Sequence, residues 1–196
     1  MVLISVIESL KNIDNALLLW INSHHNDFLD VVMWNASDRF TWIPLYVIAG
    51  YFIIRQYKKN SWLPIILVIL AVVVSDQVAS QIVKNLFMRY RPSHNMVLHS
   101  QLHYFKDYVG GLYGFASSHA ANTTAFSIFM YMLFRKTYVA IVLGFYVALV
   151  CYSRVYLGVH YPSDIAAGIG IGAVIGSGCY WLNGFIAEKI LKKTVN

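Results

Sequence analysis

His160 has a carboxylate four residues after it, Asp164, and an arginine six residues before it, Arg154. All three lie between two long apolar runs, where a charged group needs a partner or a function. A histidine oriented by a carboxylate keeps its second ring nitrogen as a nucleophile, and a guanidinium presents a planar fork of donors to phosphate oxygens. The spacing therefore predicts attack on phosphorus. Taken alone, the segment fits an ordinary surface histidine at a helix end equally well.

A second cluster of charges follows the longest apolar run. Lys84 and Arg91 are seven residues apart, which is about two helical turns, so we expect them on one helix face. Pro92 disfavours helix at the preceding residue and predicts the helix end at Arg91. Arg89 is interpreted as an interfacial side chain that reaches for the membrane surface. Asp76 continues the Lys84 stripe and is expected to hold the helix in place, with a proton relay as the alternative.

A third cluster spans residues 115–120. Ser117 and Ser118 are interpreted as helix N-caps, and a helix N-terminus attracts anions. His119 could protonate a leaving oxygen. By itself, this cluster favours a capped helix with an interfacial histidine. If all three clusters lie at the same end of neighbouring helices, they form a phosphate site with its own nucleophile and acid.

The composition is that of an integral membrane protein. Of 196 residues, 58% are hydrophobic and 12% charged, against about 25% charged in soluble domains. We expect a single domain over residues 1–196. Cys151 and Cys179 lie in apolar segments without CxxC spacing, which predicts a packing role. The net charge of +6 indicates membrane topology and anionic lipid rather than nucleic acid.

The predicted fold class is all-α, a polytopic transmembrane bundle of about five to six spans. Residues 1–27 are expected to include an amphipathic helix lying in the interface, with a short tilted span as the alternative. Residues 88–118 are expected to form an outer loop. The predicted spans are 40–54 (extended backwards through 28–34), 62–87, 120–134, 138–152 and 163–186.

Glycines at four-residue spacing mark the last predicted span. Gly168, Gly172 and Gly176 form a smooth ridge on one helix face, which favours close packing of another helix. A channel lined by this ridge is the weaker alternative.

Basic residues predict the orientation of the spans. If the spans alternate, one side carries eight basic residues and one acid, and the positive-inside rule makes it cytoplasmic. The opposite side also has seven basic residues, but it holds nearly all the acids, all seven histidines and the three clusters. The site is therefore predicted at the outer face of the membrane. The basic residues of the inner side are Arg55, Lys58, Lys59, Arg135, Lys136, Lys189, Lys192 and Lys193.

The three clusters together resemble the type 2 phosphatidic acid phosphatase family of membrane lipid phosphatases, whose sites are similar to those of vanadium-dependent haloperoxidases. The resemblance covers about residues 76–176. The family pattern Lys-x6-Arg-Pro is matched by Lys84, Arg91 and Pro92. The pattern Ser-Arg-x5-His-x3-Asp is matched by Ser153, Arg154, His160 and Asp164. In Pro-Ser-Gly-His, Ser117 and His119 match, whereas Ala116 and Ser118 replace the Pro and the Gly.

The resemblance implies a role for each matching residue. His160 would attack the phosphate and Asp164 would orient it. His119 would protonate the departing oxygen and later activate water against a phosphohistidine intermediate. The phosphoryl oxygens would be held by Lys84, Arg91, Ser117 and Arg154, with Ser118 and Asp76 in support. No cofactor is implied and no metal, since the histidines lack the paired spacing of a zinc site. Family members commonly have six spans.

The predicted function is removal of phosphate from a lipid headgroup, with undecaprenyl diphosphate as the favoured substrate. Phosphatidylglycerophosphate, phosphatidic acid and lipid A phosphate are the alternatives. The expected partners are the lipid substrate and the bilayer, with no nucleic acid and no obligate protein partner. A transporter or channel would show internal repeats and helices broken at the midplane, and neither is visible. A haloperoxidase would need vanadate, and those enzymes are typically soluble.

Overall fold

The computed structural model describes residues 2–195, with side chains at residue 5 and residues 8–189. Within that part of the chain the regular structure is helical, and an isolated bridge pairs Tyr90 with Tyr113. The α-helices are α1 (Val2–Ser23), α2 (Asp27–Ser37), α3 (Ile43–Tyr57), α4 (Trp62–Gln77), α5 (Lys84–Phe87), α6 (Ser118–Phe134), α7 (Thr137–Tyr156) and α8 (Pro162–Val195). A π-helical segment, Val78–Val83, joins α4 to α5. The predicted all-α class is confirmed.

Helix α6 lies at the centre and packs against α4, α7 and α8. Its contact with α8 follows the glycine ridge. A Cβ added at Gly168, Gly172 or Gly176 would lie 2.4, 2.2 or 2.5 Å from a backbone oxygen of α6. The predicted packing role of these glycines is confirmed, because no other side chain fits between the two backbones. Cys151 and Cys179 are free thiols packed within the helical bundle, as predicted.

Three described helical segments are long and apolar enough to cross a bilayer: Trp62–Phe87, Thr137–Tyr156 and Pro162–Lys189. They coincide with the second, fourth and fifth predicted spans. Helices also form at the other two positions, but α3 has 15 residues and α6 has 17. A perpendicular helix needs about 20 residues to cross the hydrocarbon core, and about 17 is the lower limit.

The first predicted span is interrupted, so its backward extension as one continuous helix is wrong. Helix α2 ends at Ser37, and Asp38 adopts an extended conformation with ψ of 131°. The Asp38 carboxylate accepts from the N–H groups of Phe40 and Thr41 at 3.0 and 3.1 Å. It thereby starts a new helical turn instead of continuing α2. The break leaves a polar tripeptide, residues 37–39, between two apolar helices.

The second predicted span ends at Phe87, as its predicted bounds of 62–87 require, but the helix end predicted at Arg91 is wrong. Helix α5 stops at Phe87 because Met88 is left-handed, with φ of 45°. Arg91 lies in extended backbone, and its N–H donates to the carbonyl of Leu112 at 3.1 Å. The expectation that Lys84 and Arg91 share one helix face is therefore wrong. Their charges are brought together by the loop, which folds back along residues 112–114.

Helix α1 buries a narrow face that includes two polar residues, and it exposes a broad apolar face. Asp14, Leu18 and Asn22 are buried. The opposite face exposes Leu10, Ile13, Leu17 and Trp20. The helix contacts α7 and α8. An exposed apolar stripe of this kind suits contact with lipid, and the predicted position of α1 in the membrane interface stays a prediction.

Replacing Gly172 by alanine tests the close packing of α6 against α8. The new Cβ would lie 2.2 Å from the carbonyl oxygen of Ala121, so the helices must separate. Overpacking of this kind destabilises by about 1–3 kcal/mol or more, and we expect the melting temperature in detergent to fall by several degrees. Gly170→Ala is the control, because a Cβ there meets no atom within 4 Å. Equal melting temperatures for the two variants would contradict the packing argument.

Candidate functional site

Four helix ends meet at one end of the bundle and carry the predicted site residues. Lys84 opens α5, Ser118 and His119 open α6, Arg154 lies in the last turn of α7, and Asp164 lies in the first turn of α8. The N–H of Ser117 donates to the carbonyl of Asp164 at 3.0 Å. Electrostatic interactions link His119 to His160, Arg154, Arg91 and Lys84. The structure thus places all three sequence clusters in one site.

His160 is buried, with 1% of its surface exposed. Its Nδ1 lies 3.4 Å from Asp164 Oδ2, which also accepts from the N–H of Tyr161 at 3.0 Å. The left-handed Gly158, with φ of 69°, turns the chain sharply after α7. Glycine adopts this conformation without the steric penalty that a side chain brings. The turn brings His160 back over the start of α8, with its Nδ1 on the carboxylate side.

The surroundings of His160 keep its ring neutral. Burial lowers its pKa well below the ordinary histidine value, and the charges of Arg91, Arg154 and Lys84 lower it further. A neutral imidazole has a free lone pair, which a nucleophile needs. Burial, followed by repulsion from Arg154, lowers the pKa of Arg91 to about 10. That guanidinium therefore remains charged at neutral pH.

Arg91 is seated against backbone. Its Nε donates to the carbonyl of Tyr113 at 3.2 Å and its Nη1 to the carbonyl of Val159 at 3.4 Å. Two glycines make room for it. A Cβ at Gly110 would lie 2.8 Å from Nη1 of Arg91, and one at Gly114 would lie 3.2 Å from its Cγ. The loop glycines therefore allow a buried guanidinium close to the His160 segment.

Arg154 is also buried, with 2% of its surface exposed. It donates through Nη1 to the hydroxyl of Ser37 and through Nη2 to the hydroxyl of Tyr108 at 3.2 Å. Its Nε has no hydrogen-bond partner among the described residues. A buried guanidinium N–H without an acceptor is costly, and an anion at this position would satisfy it.

The serines at the start of α6 have different roles. Ser117 is the N-cap, and its hydroxyl accepts from the N–H of Ala120 at 3.5 Å. Ser118 is the first helical residue rather than a cap, and its backbone does not have a positive φ. Its hydroxyl accepts from Lys84 Nζ at 2.9 Å. The serine that replaces the family's glycine is therefore compatible with the helix and holds a lysine.

A polar cavity of about 280 Å³ opens beside His119 and Arg154. An adjoining cavity of about 330 Å³ runs from the same wall towards Asp76 and Ser118. Both share the side chains of residues 37–39. Asp76 accepts from the Nδ2 of Asn122 at 2.9 Å, which ties the end of α4 to α6. This contact supports the structural role predicted for Asp76.

Five residues that line the smaller cavity are not predicted from the sequence: Ser37, Asp38, Arg39, Tyr108 and Trp34. The signal for the first three was present, since a Ser-Asp-Arg tripeptide interrupts two apolar runs. It was overlooked because the two runs were joined into one span. Nothing in the sequence around Tyr108 marks it, because its contact with Arg154 joins residues 46 positions apart.

Arg89 is part of the site, so its interpretation as a side chain reaching for the membrane surface is wrong. Its Nη2 lies 2.6 Å from Asp14 Oδ2 on α1, and its Nη1 lies 2.9 Å from Asp164 Oδ1. The guanidinium carbon also lies 4.0 Å from the ring centre of Tyr161. Two buried carboxylates require a cation, and Arg89 serves both. It leaves the second Asp164 oxygen facing His160.

Comparison with known proteins identifies similar sequences over most of the chain. The sequence profile of the PAP2 superfamily matches residues 62–187. The chain is 34% identical to a lipid A 4'-phosphatase from Bacteroides thetaiotaomicron, over 94% of this chain and 81% of that protein. It is 32% identical to a lipid A 4'-phosphatase from Porphyromonas gingivalis, over 88% of this chain and 74% of that protein.

A solved structure shows a similar fold. The PAP2-type phosphatidylglycerolphosphate phosphatase from Bacillus subtilis superimposes with a TM-score of 0.63 and 22% identity. The superposition covers 93% of this chain and 88% of that one. With 93% of this chain covered, the likeness in fold extends beyond residues 62–187.

Exchanging Arg89 for lysine tests its link to Asp164. One ammonium group cannot bridge two carboxylates with the fork of a guanidinium, so Asp164 loses part of its fixed position. We expect the turnover number for phosphate release to fall about tenfold or more, with a smaller change in KM. Arg55→Lys is the control, because Arg55 is exposed in the last turn of α3, at the end of the bundle opposite to the site. If both exchanges leave turnover unchanged, Arg89 does not position the carboxylate.

Proposed function

This chain belongs to the PAP2 superfamily and is an integral membrane phosphatase that acts on lipid phosphates, and from that premise we propose that His160 is its nucleophile. The observation that carries the proposal is a charge imbalance. Lys84, Arg91 and Arg154 surround His160 closely enough to affect its charge state. Among the described residues, none of these three cations forms an ion pair with a carboxylate. A phosphate dianion supplies the missing negative charge.

The reaction proceeds in two displacements. In the first, Nε2 of His160 bonds to phosphorus while the bond from phosphorus to the lipid oxygen breaks. His119, which is protonated once the phosphate dianion offsets the charges of Arg154, Arg91 and Lys84 around it, donates this proton to that oxygen, and the dephosphorylated lipid leaves. In the second, His119 takes a proton from water, whose oxygen attacks phosphorus and releases inorganic phosphate from His160. Asp164, held by Arg89 and by the N–H of Tyr161, accepts from Nδ1 throughout and stabilises the charge on the ring.

The cations and the α6 N-terminus stabilise charge on the phosphoryl oxygens. Arg154 offers its unpartnered Nε to one of them. The start of α6 adds to this site, because the free backbone N–H groups of a helix N-terminus attract anions. Removing one donor of this kind typically lowers turnover by a hundred- to a thousand-fold. Preorganised positive charge therefore accounts for much of the expected rate enhancement.

Two histidine variants separate the nucleophile from the acid. With a radiolabelled aryl phosphate, whose leaving group needs no proton, His119→Gln should still form the phosphoenzyme but hydrolyse it slowly. Acid-labile label should therefore accumulate on the protein and be measurable after denaturation. His160→Gln should accumulate none and should release no phosphate. Label on the His160 variant equal to that on the His119 variant would remove His160 as the nucleophile.

For the substrate we propose a phosphorylated glycolipid of the lipid A type. The cavity beside His119 is lined by two aromatic rings, Trp34 and Tyr108, and by the carboxylate of Asp38. The rings pack edge to face at 5.4 Å. Aromatic faces bind the C–H surfaces of sugars, and carboxylates bind sugar hydroxyl groups. A diphosphate headgroup without a sugar has neither of these features. The two lipid A 4'-phosphatases similar to this chain support the same class.

Undecaprenyl diphosphate remains the second candidate, because the cavity also contains Arg39. This side chain is exposed at the α2–α3 break and has a cation–π contact with Phe40 at 5.1 Å. Its guanidinium could pair with a second phosphate while the first is held by Arg154. Binding of a diphosphate headgroup would depend on the charge of Arg39 more than on the carboxylate of Asp38.

A panel of purified lipids with two cavity variants decides between these substrates. We expect the kcat/KM for lipid A to exceed that for undecaprenyl diphosphate by at least about tenfold. Asp38→Asn keeps an N-cap acceptor but loses the charge, and it should reduce kcat/KM for lipid A more than for the diphosphate. Arg39→Gln is the counterpart variant. The opposite ranking, with Arg39→Gln selectively impairing the diphosphate, would replace the glycolipid by undecaprenyl diphosphate.

We also propose that the site faces the outer side of the membrane. The site lies where α5 ends and α6 begins, whereas Arg55, Lys58, Lys59, Arg135 and Lys136 lie at the other ends of the helices. The positive-inside rule assigns that basic end to the cytoplasm.

Cysteine labelling in intact cells checks this orientation. In a variant lacking Cys151 and Cys179, Met96→Cys places a thiol in the outer loop at a position that is 98% exposed. It should react with an impermeant thiol reagent from outside. Lys59→Cys, exposed at the basic end, should react only after the membrane is permeabilised. The reverse pattern would place the site in the cytoplasm.

A further inference from the structure

A second cluster of metal-ligating side chains lies outside the phosphate site. His25 lies in the link between α1 and α2, Asp30 on α2, and His103 in the outer loop. One ligand atom of each lies within 4.8 Å of the others. His103 Nε2 is 2.9 Å from Asp30 Oδ2, and the rings of His25 and His103 stack with centroids 3.7 Å apart. His25 and His103 are far apart in the sequence and lack the paired spacing of a zinc site. The fold nevertheless brings the two histidines together.

Two of the three side chains are held in place by other residues. Asp30 is buried, with 4% of its surface exposed, and its Oδ1 accepts from the hydroxyl of Tyr156 at 2.7 Å. The backbone of His103 is fixed on both sides by the buried Asn22 amide, with bonds of 3.0 and 2.8 Å. His25 is exposed and is free to adjust its ring. The arrangement combines a rigid pair with one adaptable ligand.

We propose that these residues bind a divalent transition-metal ion, with Zn²⁺ as the first choice. Two imidazole nitrogens and one carboxylate oxygen are a common ligand set for Zn²⁺. Zinc–ligand bonds of about 2.0–2.2 Å in tetrahedral geometry place ligand atoms roughly 3.3 Å apart. The side chains therefore need shifts of about an ångström, which rotation of His25 can supply. Water would complete the coordination on the exposed side.

A further contact behind the ligands is also typical of a metal site. The Tyr156 hydroxyl orients the Asp30 carboxylate from behind, as outer hydrogen bonds do in metal sites.

The ion would tie together the elements that form the cavity wall. Helix α2 ends at Ser37, which accepts from Arg154, and the outer loop supplies Tyr108, which also contacts Arg154. The metal site joins α2 to the same loop through Asp30 and His103. The ion would therefore stabilise the cavity wall, and it would take no part in the phosphoryl transfer steps.

Zinc titration of the whole protein tests the site. Tag-free protein in detergent, stripped with chelator, is titrated with Zn²⁺ in competition with a zinc-binding indicator. We expect one high-affinity ion per chain, and His25→Ala should raise the Kd at least tenfold. His24→Ala is the matched control, because it removes the neighbouring exposed histidine, which bonds only locally to Trp20 and Ser23. Its Kd should match that of the wild type.

A spectroscopic measurement makes the result independent of folding and of phosphatase activity. Cu²⁺ bound in place of Zn²⁺ should show nitrogen couplings from two imidazoles in the wild type and from one in His25→Ala. Amide hydrogen exchange around residue 103 should slow when Zn²⁺ is added to the wild type, and not in the variant. Absence of stoichiometric Zn²⁺ binding, or equal weakening by His24→Ala and His25→Ala, would overturn the metal site and leave the phosphatase assignment untouched.

Discussion

The positive charge gathered around His160 is the constraint on which the rest of this site depends. Arg91 and Arg154 are buried near Lys84, and like charges out of water repel strongly. Each is anchored by neutral acceptors, namely carbonyls for Arg91 and hydroxyls for Arg154. Neutral anchors fix the direction of a guanidinium without cancelling its charge. The positive potential therefore remains available for a phosphate.

The close approach of α6 and α8 sets the distances within the site. Gly168 lies against the carbonyl of Ser117, and the N–H of Ser117 bonds to the carbonyl of Asp164. The start of α6, with His119, is therefore tied to the start of α8, which holds the carboxylate beside His160. In the proposed mechanism, His160 and His119 must lie on opposite sides of one phosphorus atom. Helix packing without intervening side chains fixes that spacing more rigidly than a loop could.

The N-terminal helix contributes to the same site although it precedes the region matched by the superfamily profile. Asp14 accepts from Arg89 and from the N–H of Ser163 at 2.8 Å, so α1 holds the first turn of α8 from outside. Arg89 then divides its guanidinium between Asp14 and Asp164. One oxygen of Asp164 accepts from this cation, and the other accepts from the N–H of Tyr161 and faces the imidazole. The carboxylate thereby has a single orientation.

The sequence by itself determined the membrane class and the helical fold, and it marked the three clusters proposed to hold phosphate, because composition and spacing within one segment are local properties. His160 and Asp164 are four positions apart in the sequence, so the pairing of this imidazole with this carboxylate can be predicted without the fold. The tertiary structure decided the partners of Arg89, the part played by residues 37–39 and the meeting of His25 with His103. Each of these contacts joins segments far apart in the chain. Helical periodicity relates only residues a few positions apart, so such contacts depend on how the helices pack.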